Sequence, residues 1–270
     1  MSTFKLYLFG SPRLERGGVV VKIARRKALA LLSYLAATGK PHARDSLATL
    51  FWPDYSQPEA RVALSRHLSY LNKLLVDEML VLEGESVALR DGFWLDVAEF
   101  TAVLAAHPTV TAHDLPTVQA AIDLYQADFL AGFTLPDCPD FDDWQAFQAE
   151  SLRQALRAAL EKVALTQAAI GDEENAIATA RRQLALDPLD EAAHRSLMQL
   201  YTQFGQQATA LRQYEQCRQI LVDELGIAPA AETTALMERI RRGEVRQDDK
   251  MTGGREVSGP IGTVGQWDGS

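Results

Sequence analysis

A 34-residue spacing constrains the second half of this chain more than any other feature. Gly171 and Gly205 lie 34 residues apart, as do Ala176 and Ala210, and the apolar Val163 corresponds with Leu197. Small residues recurring at that period, between segments with apolar residues at helical spacing, specify helix pairs stacked one on the next. Helices are expected over 96–106, 115–131, 141–170, 174–186, 191–204, 207–225 and 230–242, separated by Gly, Pro and Asp. The Leu186-Asp187-Pro188 ending fits the same pattern. Its second copy is imperfect, because Val222 stands where a proline is expected.

The first quarter follows other rules. Phe4-Lys5-Leu6-Tyr7-Leu8 alternates as a strand does, Ser11-Pro12 breaks it, and Arg16-Gly17-Gly18 forms a turn before a second strand over 19–23. Ala28, Leu31, Leu32 and Leu35 then recur at helical spacing behind Arg25-Arg26-Lys27, until Gly39 and Pro41 stop the helix. A short helix over 44–51 ends at Trp52-Pro53, since proline disfavours helix in the residue before it. A third runs from Pro58 to Val76. Met79 to Leu82, Gly84, and Val87 to Arg90 form a hairpin pattern closed by Asp91-Gly92. The predicted fold class is mainly α. An N-terminal winged helix-turn-helix with small β elements precedes a C-terminal tetratricopeptide-like α-helical repeat domain.

Charge divides the chain at nearly the same place. The 270 residues carry a formal net charge of −9, yet residues 1–76 hold 12 Lys/Arg against 4 Asp/Glu, a local +8. From Asp96 to Gly243 there are 11 Lys/Arg against 22 Asp/Glu, a local −11. A basic module joined to an acidic one points to polyanion binding by the first, and nucleic acid is the first polyanion to consider. Two cysteines, Cys138 and Cys217, have neither metal-ligand spacing nor the number for a disulfide framework, which suits a reducing cytoplasm. Residues 1–10 are too short and too soon interrupted for a signal peptide, and the apolar stretch 28–37 is far below a membrane span.

On the third helix, Leu64, Leu68, Leu71 and Leu75 share one face, with Ala60 and His67 beside them. The opposite face carries Val62, Ser65, Arg66, Ser69 and Lys73. Such a helix, behind a short helix and a turn, has the form of a recognition helix. Arg61, Val62, Ser65, Arg66 and Ser69 are the candidate base-reading residues. Arginine bonds guanine bidentately and serine bonds several bases. Arg25, Arg26, Lys27 and Arg44 near helix starts, with Lys73, suit phosphate contacts that set register. Arg90 on the hairpin is a further backbone or minor-groove candidate. His67 and Trp52 are expected in the core or at its boundary.

The acidic half offers little chemistry. Asp137, Asp140, Asp142 and Asp143 could bind a hard cation, but they lack the calcium-loop pattern. Capping by Asp142 or Asp143 of a long helix beginning near Trp144 is the simpler account. Ser/His/Asp, Cys/His and H-E-x-x-H sets are absent, so no enzyme, cofactor or metal is expected. Arg181-Arg182 and Arg241-Arg242 read as solvated faces. A repeat-based adaptor whose basic module binds protein or RNA instead of duplex DNA, and a metal-dependent hydrolase using the 137–143 carboxylates, are the competing readings.

Three runs carry a resemblance. They are Arg26-Lys27-Ala28-Leu29-Ala30-Leu31-Leu32-Ser33-Tyr34-Leu35, Arg44-Asp45-Ser46-Leu47-Ala48-Thr49-Leu50-Phe51-Trp52-Pro53-Asp54, and Ala60-Arg61-Val62-Ala63-Leu64-Ser65. Together they resemble the SARP family of bacterial transcriptional activators. Phe93-Trp94-Leu95-Asp96-Val97 with Phe100 resembles the join to that family's second half. The likeness spans residues 4–242. It implies an OmpR-like winged helix over 1–95 and a bacterial transcriptional activator domain over 96–242. After Gly243 the composition turns to Gly, Asp, Gln and Ser without periodicity, as expected of a disordered tail or linker over 243–270. The resemblance also implies sequence-specific binding of double-stranded promoter DNA at direct repeats, tandem protomers on that DNA, and help in recruiting RNA polymerase. No G-x-x-x-x-G-K-[ST] is present. Where relatives carry several basic residues late in the recognition helix, Ser69, Tyr70 and Asn72 stand here before Lys73.

Overall fold

The computed structural model describes residues 4–75, 79–90 and 92–244. The chain forms two compact units, divided after Ala193. Strand β1 (Phe4–Tyr7) buries Phe4 and Leu6 on one face, as its alternation requires. It pairs antiparallel with β2 (Arg13–Arg16), which pairs with β3 (Val19–Val21). Gly17 and Gly18 between the last two have φ of 58° and 81°. A two-residue hairpin loop demands that left-handed backbone, and glycine supplies it without strain. The sequence pattern missed β2, and it missed β7 (Phe93–Leu95), which lies parallel to β1. The expected second strand over 19–23 shortens to three residues.

Three helices follow: α1 (Arg26–Thr38), α2 (Arg44–Phe51) and α3 (Gln57–Leu74). Gly39 in the left-handed conformation ends α1, its N–H bonded to the Leu35 carbonyl. Ser56 and Glu59 form a reciprocal capping box at the start of α3, with Pro58 in the first turn. Short β4 (His42–Ala43) joins the hairpin of β5 (Leu80–Glu83) and β6 (Ser86–Leu89) in a second sheet of order β4-β6-β5. This is the winged helix-turn-helix expected from sequence. Asp91 and Val76 lie outside the described residues, as does the tail from 245 to 270.

One buried carboxylate joins this part to the next. Asp96, the first residue of α4 (Asp96–Ala106), is 1% exposed. Its oxygens accept the N–H of Leu8 at 2.9 Å, of Phe9 at 3.0 Å and of Val97 at 2.8 Å. The expected strand residue Leu8 therefore leaves the ladder. Its carbonyl instead accepts the Leu130 N–H at 2.8 Å. That exchange accounts for the largest miss. The apolar spacing predicts a helix over 115–131, but α5 (Leu115–Ile122) stops early. Past it, Gly10 N–H bonds the Asp128 carbonyl, Phe9 bridges Phe129, and Leu130 adopts φ of 52°. Tertiary backbone bonds outcompete helical propensity there.

The long helix α6 (Pro139–Ala169) begins earlier than expected, behind Cys138 at its N-cap. Neither Asp142 nor Asp143 caps it. Asp142 sits inside the first turn and accepts the Leu135 N–H at 2.9 Å, while Asp137 pairs with Lys27 at 2.7 Å. The helix pairs with α7 (Glu173–Leu186) across Gly171, whose φ is 80°.

The second unit takes most of α8 (Glu191–Gln203), then α9 (Gln207–Leu225) and α10 (Ala231–Arg241). Gly205 at φ 74° repeats the role of Gly171. Ala176, Ala210, Val163 and Leu197 are all fully buried, as the 34-residue spacing requires. His194 and Gln213 bond at 2.8 Å between α8 and α9, and Arg195 donates to Thr233 on α10 at 2.9 Å. Val222, in the position of Pro188, lets α9 run on to Leu225 before Gly226 ends it.

Replacing Asp96 by alanine would leave three buried N–H groups without an acceptor. The expected loss of unfolding free energy is about 2–4 kcal/mol, on the scale of unsatisfied buried donors. Urea denaturation of the full chain, followed by circular dichroism, checks it; a loss below about 0.5 kcal/mol would contradict this role.

Candidate nucleic-acid interface

The apolar spacing of α3 fixes what its opposite face presents. Ala60, Leu64, Leu68, Leu71 and Leu75 are each no more than 1% exposed, packed against the rest of the core. Val62, Ser65, Arg66, Ser69 and Lys73 are exposed in consequence. With Arg25, Arg61 and Tyr70 they line one open concavity of about 620 Å³. All five residues expected to read bases therefore share one surface, together with two of the six expected to touch phosphate.

The basic run 25–27 divides in two. The Arg25 guanidinium lies 4.8 Å from the centre of the Tyr70 ring, and its Nη1 approaches the Arg66 carbonyl at 3.5 Å. Tyr70 in turn accepts the Ala24 N–H at 3.1 Å. Tyr70 is thus a member of the surface that residue-by-residue reading overlooked. Its spacing of four from Arg66 would have placed it there.

Arg26 and Lys27 turn the other way. Arg26 donates from Nε to the Thr134 carbonyl at 2.8 Å and lies 4.7 Å from the Phe133 ring centre. Lys27, its side chain only 18% exposed, donates to the Phe51 carbonyl at 2.6 Å and pairs with Asp137. An ammonium on the last carbonyls of α2 is where a helix favours a cation. Arg44 begins α2, its N–H bonded to the Glu85 carbonyl at 2.8 Å. Arg90 is exposed just past β6, its N–H on the Met79 carbonyl at 2.8 Å.

Arg61 is engaged on both sides. Its guanidinium forks onto Asp45 of α2, with Nη2 at 2.7 Å from Oδ2, and the same nitrogen lies 2.9 Å from Glu85 at the hairpin tip. Gln57 donates to Asp45 as well, at 2.7 Å. The bonds from Arg61 and Gln57 hold the Asp45 carboxyl down at about 2. The expected core residues behave as such. Trp52 is buried against His67, ring centres 4.9 Å apart, and His67 Nδ1 contacts the Ala63 carbonyl at 2.8 Å. Burial lowers the His67 pKa, the Ala63 carbonyl opposing and Arg25 and Lys27 adding to the fall.

Asp45 has a folded pKa below its unfolded value of about 3.9. Its contribution is therefore complete above pH 4 and is lost as pH falls through about 2. Thermal midpoints of the native chain should drop between pH 4 and pH 2 by more than those of Asp45→Asn. Parallel pH profiles would refute the assignment.

Comparison with known proteins places this geometry. The family model for the bacterial transcriptional activator domain matches residues 95–241, more than half of the chain. The regulatory protein AfsR of Streptomyces griseus is 26% identical over 246 residues, covering 88% of this chain and 24% of AfsR. The transcriptional regulatory protein EmbR of Mycobacterium tuberculosis H37Rv is 28% identical over 247 residues, covering 87% of this chain and 62% of EmbR. This chain thus spans about a quarter to three-fifths of the length of these relatives. A solved structure of EmbR, in complex with a low affinity phosphopeptide, superposes with a TM-score of 0.67 at 22% identity, over 90% of this chain and 66% of that one. That likeness confirms the fold. With the family match over 95–241 and the SARP-type motifs of the first 95 residues, the chain belongs to the bacterial transcriptional activator domain family.

Proposed function

We propose that this protein is a sequence-specific transcriptional activator that binds promoter DNA through α3. One observation carries the reading: the face of α3 opposite its leucines presents Val62, Ser65, Arg66 and Ser69 in a single concavity rimmed by Arg25 and Lys73. Side chains of this kind on a recognition helix read base edges, while flanking cations hold phosphates. Arg44 and Arg90 extend the phosphate set along α2 and the hairpin. Arg26 and Lys27 serve the fold instead, being held by Thr134, Phe51 and Asp137. The division into a DNA-binding part over 1–95 and an activator part over 96–242 draws support from the family match that starts at residue 95.

The activator part is acidic and would be repelled by DNA, so protein partners suit it: RNA polymerase and a second protomer on a neighbouring repeat. The named relatives are regulatory proteins, which favours regulation over catalysis and a cytoplasmic place of action. Among the described residues, no helix is long and apolar enough to cross a membrane.

Selection of duplexes from a random pool by the full chain should recover one short motif repeated head-to-tail, about 10 base pairs apart. No enriched motif at low salt would refute the reading and favour the adaptor alternative. On the recovered duplex, Arg66→Ala should change preference at one base pair by about 1–3 kcal/mol. Lys73→Ala should weaken all sequences alike and reduce the salt slope by about 1. Lys27→Ala should lower the thermal midpoint and leave that slope unchanged. Equal, sequence-blind losses from Arg66→Ala and Lys73→Ala would contradict the assignment.

A further inference from the structure

Arg61 lies on the face assigned to base reading, yet its Nε and Nη2 donors are already committed to Asp45 and Glu85. We infer that Arg61 is a positioning residue, which fixes the hairpin tip and α2 against the recognition helix and reads no base. The inference rests on the proposed DNA-binding role of α3 and deepens it.

Three elements meet at this guanidinium. Its Nε and Nη2 take both oxygens of Asp45, on the second residue of α2, and Nη2 also reaches Glu85 Oε2 at 2.9 Å. Glu85 sits in the turn between β5 and β6, beside Gly84 at φ 56°. The same turn is tied to α2 from behind, through the Arg44 N–H on the Glu85 carbonyl and through the β4–β6 ladder. Arg61 adds the bond from α3. Gln57, one turn earlier on α3, shares Asp45 at 2.7 Å. The hairpin tip, the start of α2 and the start of α3 thus form one closed circuit of hydrogen bonds.

Bidentate recognition of guanine uses the same planar fork of donors that here grips Asp45. To grip a guanine bidentately, Arg61 would have to withdraw Nη2 from Asp45 and Glu85 and leave carboxylate charge less well neutralised at the edge of the proposed phosphate-binding surface. Side-chain exposures of 42%, 54% and 70% for Arg61, Asp45 and Glu85 keep the circuit's contribution to stability small. What it supplies is register: where the wing stands relative to Ser65, Arg66 and Ser69. Lysine cannot substitute, because a point charge on a flexible stem does not hold two carboxylates in one plane.

The test uses the full chain and the duplex it selects from the random pool, comparing the native protein with Arg61→Ala, Arg61→Lys and the pair Asp45→Asn with Glu85→Gln. Binding is measured to every single-base variant of the site, and amide hydrogen exchange over 80–89 is measured without DNA. The expected result is an affinity loss of about tenfold for Arg61→Ala, equal across base variants, with the ranking of bases preserved. Exchange over 80–89 should quicken in Arg61→Ala, Arg61→Lys and the carboxylate pair alike. Adding Arg61→Ala to that pair should quicken it no further. Lost discrimination at one base pair with unchanged exchange would make Arg61 a base reader and overturn this inference alone. Failure of the native chain to select any motif would overturn the DNA-binding reading together with it.

Discussion

The structure of the first unit depends on a single carboxylate taken out of water. Asp96 stands where the last strand of the first sheet becomes α4, the first helix of the segment matched by the family model, and it gathers the N–H groups of Leu8, Phe9 and Val97. Buried donors must find acceptors, and after Tyr7 the chain has left its strand partners behind. One side chain answers that need, and β1 is thereby held parallel to β7 and against α4. The segment 128–130 completes the arrangement by giving Gly10 a carbonyl and taking one from Leu8. The winged helix and the helices that follow it accordingly share one core, in which Phe9, Phe100, Tyr125 and Phe129 pack together.

The basic run at the start of α1 shows how one short stretch serves two surfaces. Consecutive helical side chains point about 100° apart, so three basic neighbours cannot all face one ligand. Arg25, at the N-cap, falls toward Tyr70 and the recognition surface. Arg26 and Lys27 fall toward 133–138, where a backbone carbonyl, an aromatic ring and Asp137 receive them. Lys27 and Cys138 both donate to the Phe51 carbonyl, so the C-terminus of α2 is finished by residues from two distant segments. The +8 charge of the first 76 residues therefore overstates the positive charge left for a polyanion.

Where sequence reading succeeded, the determinants were local. The leucine spacing of α3, Pro58 in its first turn, Gly39 and the 34-residue pairs all act within a few residues of themselves or through a repeated period. The helix over 96–106 was legible to the residue, because its acidic first turn and apolar face are local features. Misses fell where a distant partner decided. The helix expected over 115–131 carries helical periodicity, but its second half is drawn into backbone bonds with residues 8–10. Asp142 has the composition of a cap, yet it spends its carboxylate on Leu135 inside the helix. Arg61 has the spacing of a base reader, and nothing near it in sequence reveals Asp45 or Glu85 as its partners.

By itself the sequence determined the fold class, the order of the helices, the side of α3 that faces the core and hence the residues that face out. Those follow from periodicity and from turn and capping chemistry, which operate over one or two helical turns. Only the tertiary structure decided which outward cations remain available to a ligand. A guanidinium or ammonium is satisfied by whichever carboxylate or carbonyl the fold brings within about 3 Å, and that partner stood 24 residues away for Lys27 and 16 for Arg61.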